Sequence, residues 1–208
     1  MKINEIFYSI QGEGPQVGMA AWFVRTSGCN LSCPWCDTKY ANKGIEMTIE
    51  EIESKLDANT CRNIVITGGE PLIQKEFFDF LKKLSYFNIY VETNGTIYGT
   101  HYPGYAKFIV SPKLEFLTDK YLKVLEKWKY YASFKFVIGD RVDFENALSL
   151  IKKLKLQEKD IYFMPKGTTE KELKKNMNQI AEWIKKSASY ARLSPRLHIH
   201  MYGSKRGV

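Results

Sequence analysis

Residues 29–36 read Cys29-Asn30-Leu31-Ser32-Cys33-Pro34-Trp35-Cys36. Three cysteines at Cys-x₃-Cys-x₂-Cys spacing offer three thiolates from one short loop. A structural zinc site closes four ligands around its metal, and a ferredoxin-type cubane takes one cysteine per iron. Three thiolates can therefore hold three irons of a [4Fe–4S] cube and leave the fourth iron open to a substrate or cofactor. The loop alone also admits zinc, with Cys61 or one of the histidines as a distant fourth ligand, because Cys-x₂-Cys pairs are common in zinc sites.

The loop follows an apolar run, Ala20–Thr26, and this placement organises the rest of the chain. Strand signals recur at Asn63–Thr67, Ile89–Thr93, Ala106–Ser111, Ser133–Ile138 and Ile161–Met164, with a last short strand expected at Arg196–Met201. Helical spacing fills the intervals at Thr48–Leu56, Lys75–Ser85, Asp119–Lys129, Asp143–Leu154 and Thr169–Lys186. Alternating strands and helices predict an α/β fold with a mainly parallel sheet and right-handed crossovers. Ligands in such folds sit beyond the carboxyl ends of the strands. The chemically unusual segments fall there: the cysteine loop, Thr67-Gly68-Gly69-Glu70-Pro71, Glu92-Thr93-Asn94-Gly95 and Ser111-Pro112-Lys113. Several helices are short or missing against an eightfold barrel. The expectation is a single domain over residues 1–208, built as an open, incomplete TIM-like barrel.

A chain of 208 residues suits one domain with a substantial core. No apolar stretch is long enough for a membrane span, and Met1–Glu5 lacks the h-region of a signal peptide. A cytoplasmic location is expected, where clustered thiols serve as metal ligands and not as disulfides. The net charge of +8 admits nucleic acid or anionic small molecules as partners. The lysines are scattered over helical segments such as Glu170–Lys186 and read as solvated faces, so no nucleic-acid partner is expected.

Each remaining motif has a chemical and a bland reading. Gly68-Gly69 lets backbone approach a ligand closely and adopt unusual dihedrals, or makes an ordinary turn. Ile10-Gln11-Gly12-Glu13-Gly14 folds over a ligand or forms a hairpin turn. Arg25 offers a planar fork to a carboxylate, or caps a strand at the surface. Thr38, just after Cys36-Asp37, supplies one oxygen to Mg²⁺, or stabilises a turn. Lys113 donates to a nucleoside cofactor, or lies in a surface loop.

Taken in order, Gln-Gly-Glu-Gly, Arg25, Cys-x₃-Cys-x₂-Cys, Cys-Asp-Thr, Thr-Gly-Gly-Glu-Pro, Glu-Thr-Asn-Gly and Ser-Pro-Lys resemble the radical S-adenosylmethionine (SAM) enzymes, and among them the 7-carboxy-7-deazaguanine synthases. The resemblance is densest from Glu5 to Lys113. It implies a lyase of queuosine-type 7-deazapurine biosynthesis that converts 6-carboxy-5,6,7,8-tetrahydropterin to 7-carboxy-7-deazaguanine with loss of ammonia. Reductive cleavage of SAM would give a 5′-deoxyadenosyl radical that takes hydrogen from substrate C6. Ring contraction follows, and return of the hydrogen makes SAM a regenerated cofactor. The resemblance also implies roles. Cys29, Cys33 and Cys36 hold the [4Fe–4S] cluster, and Thr38 holds Mg²⁺. Gly69, Ser111, Pro112, Lys113 and Phe163-Met164-Pro165-Lys166 contact SAM. Ile10, Gln11, Gly12, Arg25, Thr67 and the terminal Val208 contact the pterin. A flavodoxin- or ferredoxin-like electron donor and a homodimer are implied with them.

Two other functions fit parts of the chain. A glycyl-radical-enzyme activase is another small radical SAM protein, but has no need of the Gln-Gly-Glu-Gly, Arg25 and Thr38 set. A zinc-bearing RNA-binding module would account for the basic charge and the cysteines. Cys61 is expected to be a buried thiol outside the metal loop.

Overall fold

The apolar run that feeds the cysteine loop is a strand, and the sheet changes sense there. The computed structural model describes residues 1–99, 103–157, 160–187, 191–203 and 205–208. In it the run is β2, Ala20–Thr26, and it follows β1, Lys2–Ile10. These two strands are antiparallel, with Glu5 opposite Arg25 and Phe7 opposite Phe23. A two-residue strand, β3 (Ile45–Glu46), also pairs antiparallel with β1. On the other side of β2 the described pairings are all parallel, through β4 (Asn63–Gly68), β5 (Asn88–Thr93), β6 (Ala106–Val110), β7 (Ala132–Ile138), β8 (Ile161–Pro165) and β9 (Arg192–Leu193). The order β3-β1-β2-β4-β5-β6-β7-β8-β9 leaves β3 and β9 as separate edges, so the barrel is open. Its two ends still approach at one mouth. The Gly14 N–H donates to Ser194 Oγ at 2.7 Å, and the Leu197 N–H to the Gly12 carbonyl at 2.9 Å.

Helices cover the outer face. They are α1 (Ile49–Glu53), α2 (Phe77–Lys83), α3 (Asp119–Trp128), α4 (Arg141–Leu154) and α5 (Glu170–Ser187). The first two, five and seven residues long, are shorter than the spans expected at Thr48–Leu56 and Lys75–Ser85. Among the described residues no helix joins β5 to β6. Thr48 closes a capping box with Glu51 at the start of α1, and the Thr118 and Asp140 side chains cap α3 and α4. The period of two along each strand sorts side chains between two environments. Val24, Ile64, Ile66, Val91, Phe108, Val110, Phe134 and Phe136 point out and pack with Phe77, Phe80, Trp128 and Phe144 of the helices. The inner face carries a smaller apolar group, Ala21, Phe23 and Val65 with Phe7 and Tyr90, at the floor of the lumen.

Two segments depart from the sequence reading. The nine residues of β1 give no strand signal in the sequence, because Glu5 and Ser9 interrupt the apolar pattern; both are lumen positions. The tail expected as a strand at Arg196–Met201 is instead a helix, α6 (Leu197–Tyr202). Its alternating Leu197, Ile199 and Met201 mimic strand period. The preceding β9 ends after two residues, at Ser194-Pro195, and proline brings no donor to a ladder. Beyond it the backbone turns across the mouth and satisfies its N–H groups internally, as in Gly203 N–H to the Ile199 carbonyl at 2.9 Å.

Candidate active site

The inward positions at the carboxyl ends of the strands enclose a cavity of about 640 Å³. Its walls include Ile10, Gln11, Gly12, Arg25, Thr67, Gly69, Ser111, Lys113, Met164, Lys166 and Val208, together with Thr38 and the three loop cysteines. Most residues selected from the sequence, spread from 10 to 208, thus share one enclosure. Phe163, Pro165 and Pro112 do not line it. The reason is strand parity: Met164 faces in, so Phe163 faces out, where its ring packs 4.9 Å from that of Phe144.

The cysteine loop closes one side. Its cysteines are free thiols, with Cys29 exposed and Cys33 and Cys36 half-buried. Cys29 Sγ accepts from the Leu31 N–H at 3.4 Å and from Asn94 Nδ2 at 3.9 Å, contacts that suit a ligating sulfur. Burial pushes the Cys33 thiol up to about 11, with the Lys113 ammonium opposing. A bound cationic centre would supply the charge that deprotonates these ligands. Among the described residues no three His, Cys, Asp or Glu side chains meet around a single ion. A cubane asks for no such meeting, since each thiolate takes its own iron. Trp35 lies between two cations, with Lys113 Nζ and Lys166 Nζ each 5.2 Å from its ring centroid. Cys61 lies at the opposite end of the sheet, half-buried and not fully buried as expected, and its thiol donates to the Ala20 carbonyl at 3.3 Å.

The glycine turn is built against this loop. Gly68 has φ of +131°, a conformation that favours glycine. A Cβ on Gly69 would lie 1.9 Å from the Gly28 carbonyl oxygen. The space that glycine leaves is therefore filled by the chain entering the cysteine loop, a use the sequence did not reveal. Glu70, fully buried, braces the next turn. It accepts from the Leu72 N–H at 3.1 Å, Thr93 Oγ1 at 2.7 Å and the Asn94 N–H at 2.7 Å. Burial still raises its carboxyl above the ordinary range, the hydrogen bonds opposing. Tyr121 of α3 donates its hydroxyl to the Asn94 carbonyl and accepts from the Lys113 N–H at 3.2 Å, joining a third turn. Gly69→Ala is expected to displace the cysteine loop, lowering both the melting temperature and the iron retained after anaerobic reconstitution. Wild-type iron content with a wild-type melting curve would show that the turn has room.

The opposite side carries buried charge. Arg25, its side chain 16% exposed, is a lumen residue and not a surface cap. Its Nε donates to Glu5 Oε1 at 2.7 Å, and its guanidinium lies 5.8 Å from the Phe7 and Tyr40 ring centroids. Among the described residues no hydrogen bond engages its terminal nitrogens, so the fork is available to an anion. Thr67 Oγ1 donates to Glu92 Oε2 at 3.3 Å, and Gln11 Nε2 to Glu92 Oε1 at 3.0 Å. Lys135 projects into the floor, only 5% exposed, 2.6 Å from Glu13 and 3.4 Å from Glu92. Burial alone would raise the Glu13 carboxyl; Lys135, Arg196 and His198 outweigh it and hold it well below the usual range. Burial alone would lower the Lys135 ammonium, and its two carboxylates hold it above its ordinary value. Arg196, 8% exposed, reaches Glu13 Oε1 at 2.9 Å, the Gly167 carbonyl and Asp37.

The sequence marks Glu92 only as part of the Glu92-Thr93-Asn94-Gly95 turn, and does not mark Glu5, Lys135, Arg196 or His198 as site residues. Lys135 had a readable signal, a lone cation at a lumen position in Ala132–Ile138, whereas Arg196 had none, since it follows a strand of two residues. Ser111 accepts from Lys113 Nζ at 2.9 Å, which folds that ammonium back to the loop.

Comparison with known proteins agrees with this geometry. The radical SAM superfamily model matches residues 23–180. A 7-carboxy-7-deazaguanine synthase of Thermoplasma acidophilum is 32% identical over the whole of both chains. That of Pyrobaculum aerophilum is 33% identical, over 100% of this chain and 97% of its own. The crystal structure of QueE from Escherichia coli superposes with a TM-score of 0.68 at 26% identity, covering 93% of this chain and 92% of that one. Membership replaces the zinc reading of the cysteines with a [4Fe–4S] cluster and SAM, and the free thiols and glycine turn described above fit that pair. With the fold, the cysteine loop and full-length relatives in agreement, this chain belongs to the radical SAM superfamily and, within it, to the 7-carboxy-7-deazaguanine synthases.

Proposed function

We propose that this enzyme contracts the reduced ring of 6-carboxy-5,6,7,8-tetrahydropterin to 7-carboxy-7-deazaguanine with loss of ammonia. The supporting observation is that one cavity holds the cysteine loop on one side and Arg25, Thr67 and the Gln11-Gly12 turn on the other. Bound cluster and SAM supply a one-electron reductive cleavage that yields a hydrogen-abstracting radical. The chain's residues do the rest. Arg25 receives the substrate carboxylate on its free fork, while Glu5 fixes the Nε edge. Gln11, Thr67 and Glu92 present amide, hydroxyl and carboxylate to the nitrogen-rich bicycle. Gly69, Ser111, Lys113, Met164 and Lys166 form the SAM side. Phe163 and Pro165 face away from it, and the Phe163 carbonyl is taken by the Ser194 N–H at 2.8 Å. Val208 and its tail cover the mouth, where Arg206 stacks 3.6 Å over the Tyr40 ring. Enclosure excludes water from the radical.

Thr38 would offer its hydroxyl oxygen to a Mg²⁺ ion, which would supply Lewis-acid charge to the substrate's oxygens. A flavodoxin- or ferredoxin-like donor and a homodimer accompany this reading by family resemblance. Among the described residues no helix is long and apolar enough to cross a membrane, and four free cysteines suit a reducing, cytoplasmic compartment.

The test is an anaerobic assay with dithionite or flavodoxin, SAM and the carboxytetrahydropterin, following ammonia and product absorbance. Product from a glycyl-radical substrate protein but not from the pterin would sink the reading. Arg25→Lys keeps the charge but loses the planar fork. It is expected to raise the Michaelis constant, with a loss of about 1–3 kcal/mol in binding. Unchanged constants would remove Arg25 from the carboxylate site.

A further inference from the structure

One guanidinium ties together the two sides of the cavity. Arg196 lies between β9 and α6. Its Nε donates to Glu13 in the turn after β1, its Nη1 to the Gly167 carbonyl after β8, and its Nη2 to Asp37 beside the last loop cysteine. These partners are 183, 29 and 159 residues away in sequence. The Asp37 carboxylate is shared in turn. One oxygen takes Arg196, and the other accepts from Thr38 Oγ1 at 2.7 Å. A hydroxyl that gives its proton to Asp37 keeps its lone pairs for another partner. Thr38 caps the following helical turn by no side-chain bond, so Asp37 is what orients it.

We propose that Arg196, acting through Asp37, is a positioning residue that sets the Thr38 hydroxyl for the divalent cation and holds it in register with the Glu13 side of the substrate cavity. The inference rests on the assignment of Thr38 above. The guanidinium meets the geometric demand because its planar donors diverge toward three partners at fixed angles, which a lysine ammonium on a flexible stem does not reproduce. Its burial in the shared wall, with Glu13 already engaged by Lys135, keeps the three segments from separating independently.

The experiment measures Mn²⁺, as a probe for Mg²⁺, by loss of its free electron paramagnetic resonance signal. The reconstituted protein is titrated with SAM and carboxytetrahydropterin present and the cluster oxidised. Asp37→Asn and Arg196→Gln are expected to weaken Mn²⁺ binding roughly 10- to 100-fold, the usual range when an outer-shell partner of a metal ligand is lost. Arg196→Lys should recover only part of the loss. Iron and sulfide content, and the spectral change of the reduced cluster on adding SAM, should stay at wild-type values. In a Thr38→Ala background the same substitutions should cause no further loss. Wild-type Mn²⁺ curves for both Asp37→Asn and Arg196→Gln overturn the proposal, as does an equal further loss in the Thr38→Ala background. If Arg196→Gln fails to fold, Asp37→Asn decides, since the Asp37 side chain is 38% exposed and tolerates an isosteric change. Absence of substrate-dependent Mn²⁺ binding in the wild type is a different result, and it would overturn the Thr38 assignment itself.

Discussion

Alanine at Cys29, Cys33 or Cys36 is expected to abolish turnover and leave little iron and sulfide on the protein after reconstitution, while Cys61→Ala keeps the cluster. With one loop thiolate to each of three irons, as proposed, removing one would leave a second iron without a protein ligand at the rim of the cavity. The cysteine loop cannot recruit a substitute. Cys61 lies at the start of β4, bonded to the first residue of β2, whereas Cys29 lies just past the last residue of that strand. A seven-residue strand separates them, and its rise of about 3.3 Å per residue puts the thiols on the order of 20 Å apart. Iron and sulfide analysis of the four variants, beside the visible spectrum, is the measurement. A colourless Cys61→Ala protein with three coloured loop variants would reverse the assignment.

Lys135→Met is expected to lose about 3 kcal/mol of stability near neutral pH, because it takes the cation from Glu92 and leaves Glu13 with Arg196 alone in the floor of the lumen. Lys135 is the direct cation for Glu13 and for Glu92, and a thioether fills the volume without the charge. The pH dependence distinguishes this from a packing defect. Glu13 has its carboxyl depressed in the folded state, once burial is outweighed by Lys135, Arg196 and His198. Its contribution is therefore present above the ordinary carboxyl value and lost as pH falls through the folded value. Lys135 has its ammonium raised, against burial, by Glu13 and Glu92. Its contribution is present below the ordinary lysine value and lost only as pH rises through the folded one. The deficit of Lys135→Met should be largest across the window between those ordinary values, about 4.3 to 10.4, and should shrink as acid protonates Glu13. Urea unfolding at neutral and acidic pH gives the two deficits. A deficit that does not change with pH would assign the loss to packing alone.

Local sequence does not report this buried pair. Glu13 was visible as a carboxylate between two glycines, but nothing local said that it would be buried, or that Lys135, 122 residues later, would meet it. The two meet across the lumen, because the sheet curls until β7 faces the turn after β1, five places away in the strand order.

The sequence by itself determined the class of fold and set the three-cysteine loop and the glycine turn at the carboxyl ends of neighbouring strands. These are properties of local pattern: period two in Ala132–Ile138, helical spacing in Asp119–Trp128, glycines at Gly68-Gly69, and three cysteines on one loop. Tertiary structure decided three things. The first was which residue of each strand reaches the cavity, Met164 and not Phe163. The second was what the Gly69 turn accommodates, the Gly28 carbonyl. The third was the tie made by Arg196, on a tail that read as a strand and folded as a helix across the mouth. Parity depends on which face of the sheet the helices cover, and close backbone approach depends on how two distant loops stack. A tail segment that finds no strand to pair with takes the structure that satisfies its own backbone, and no local periodicity reports whether such a partner exists.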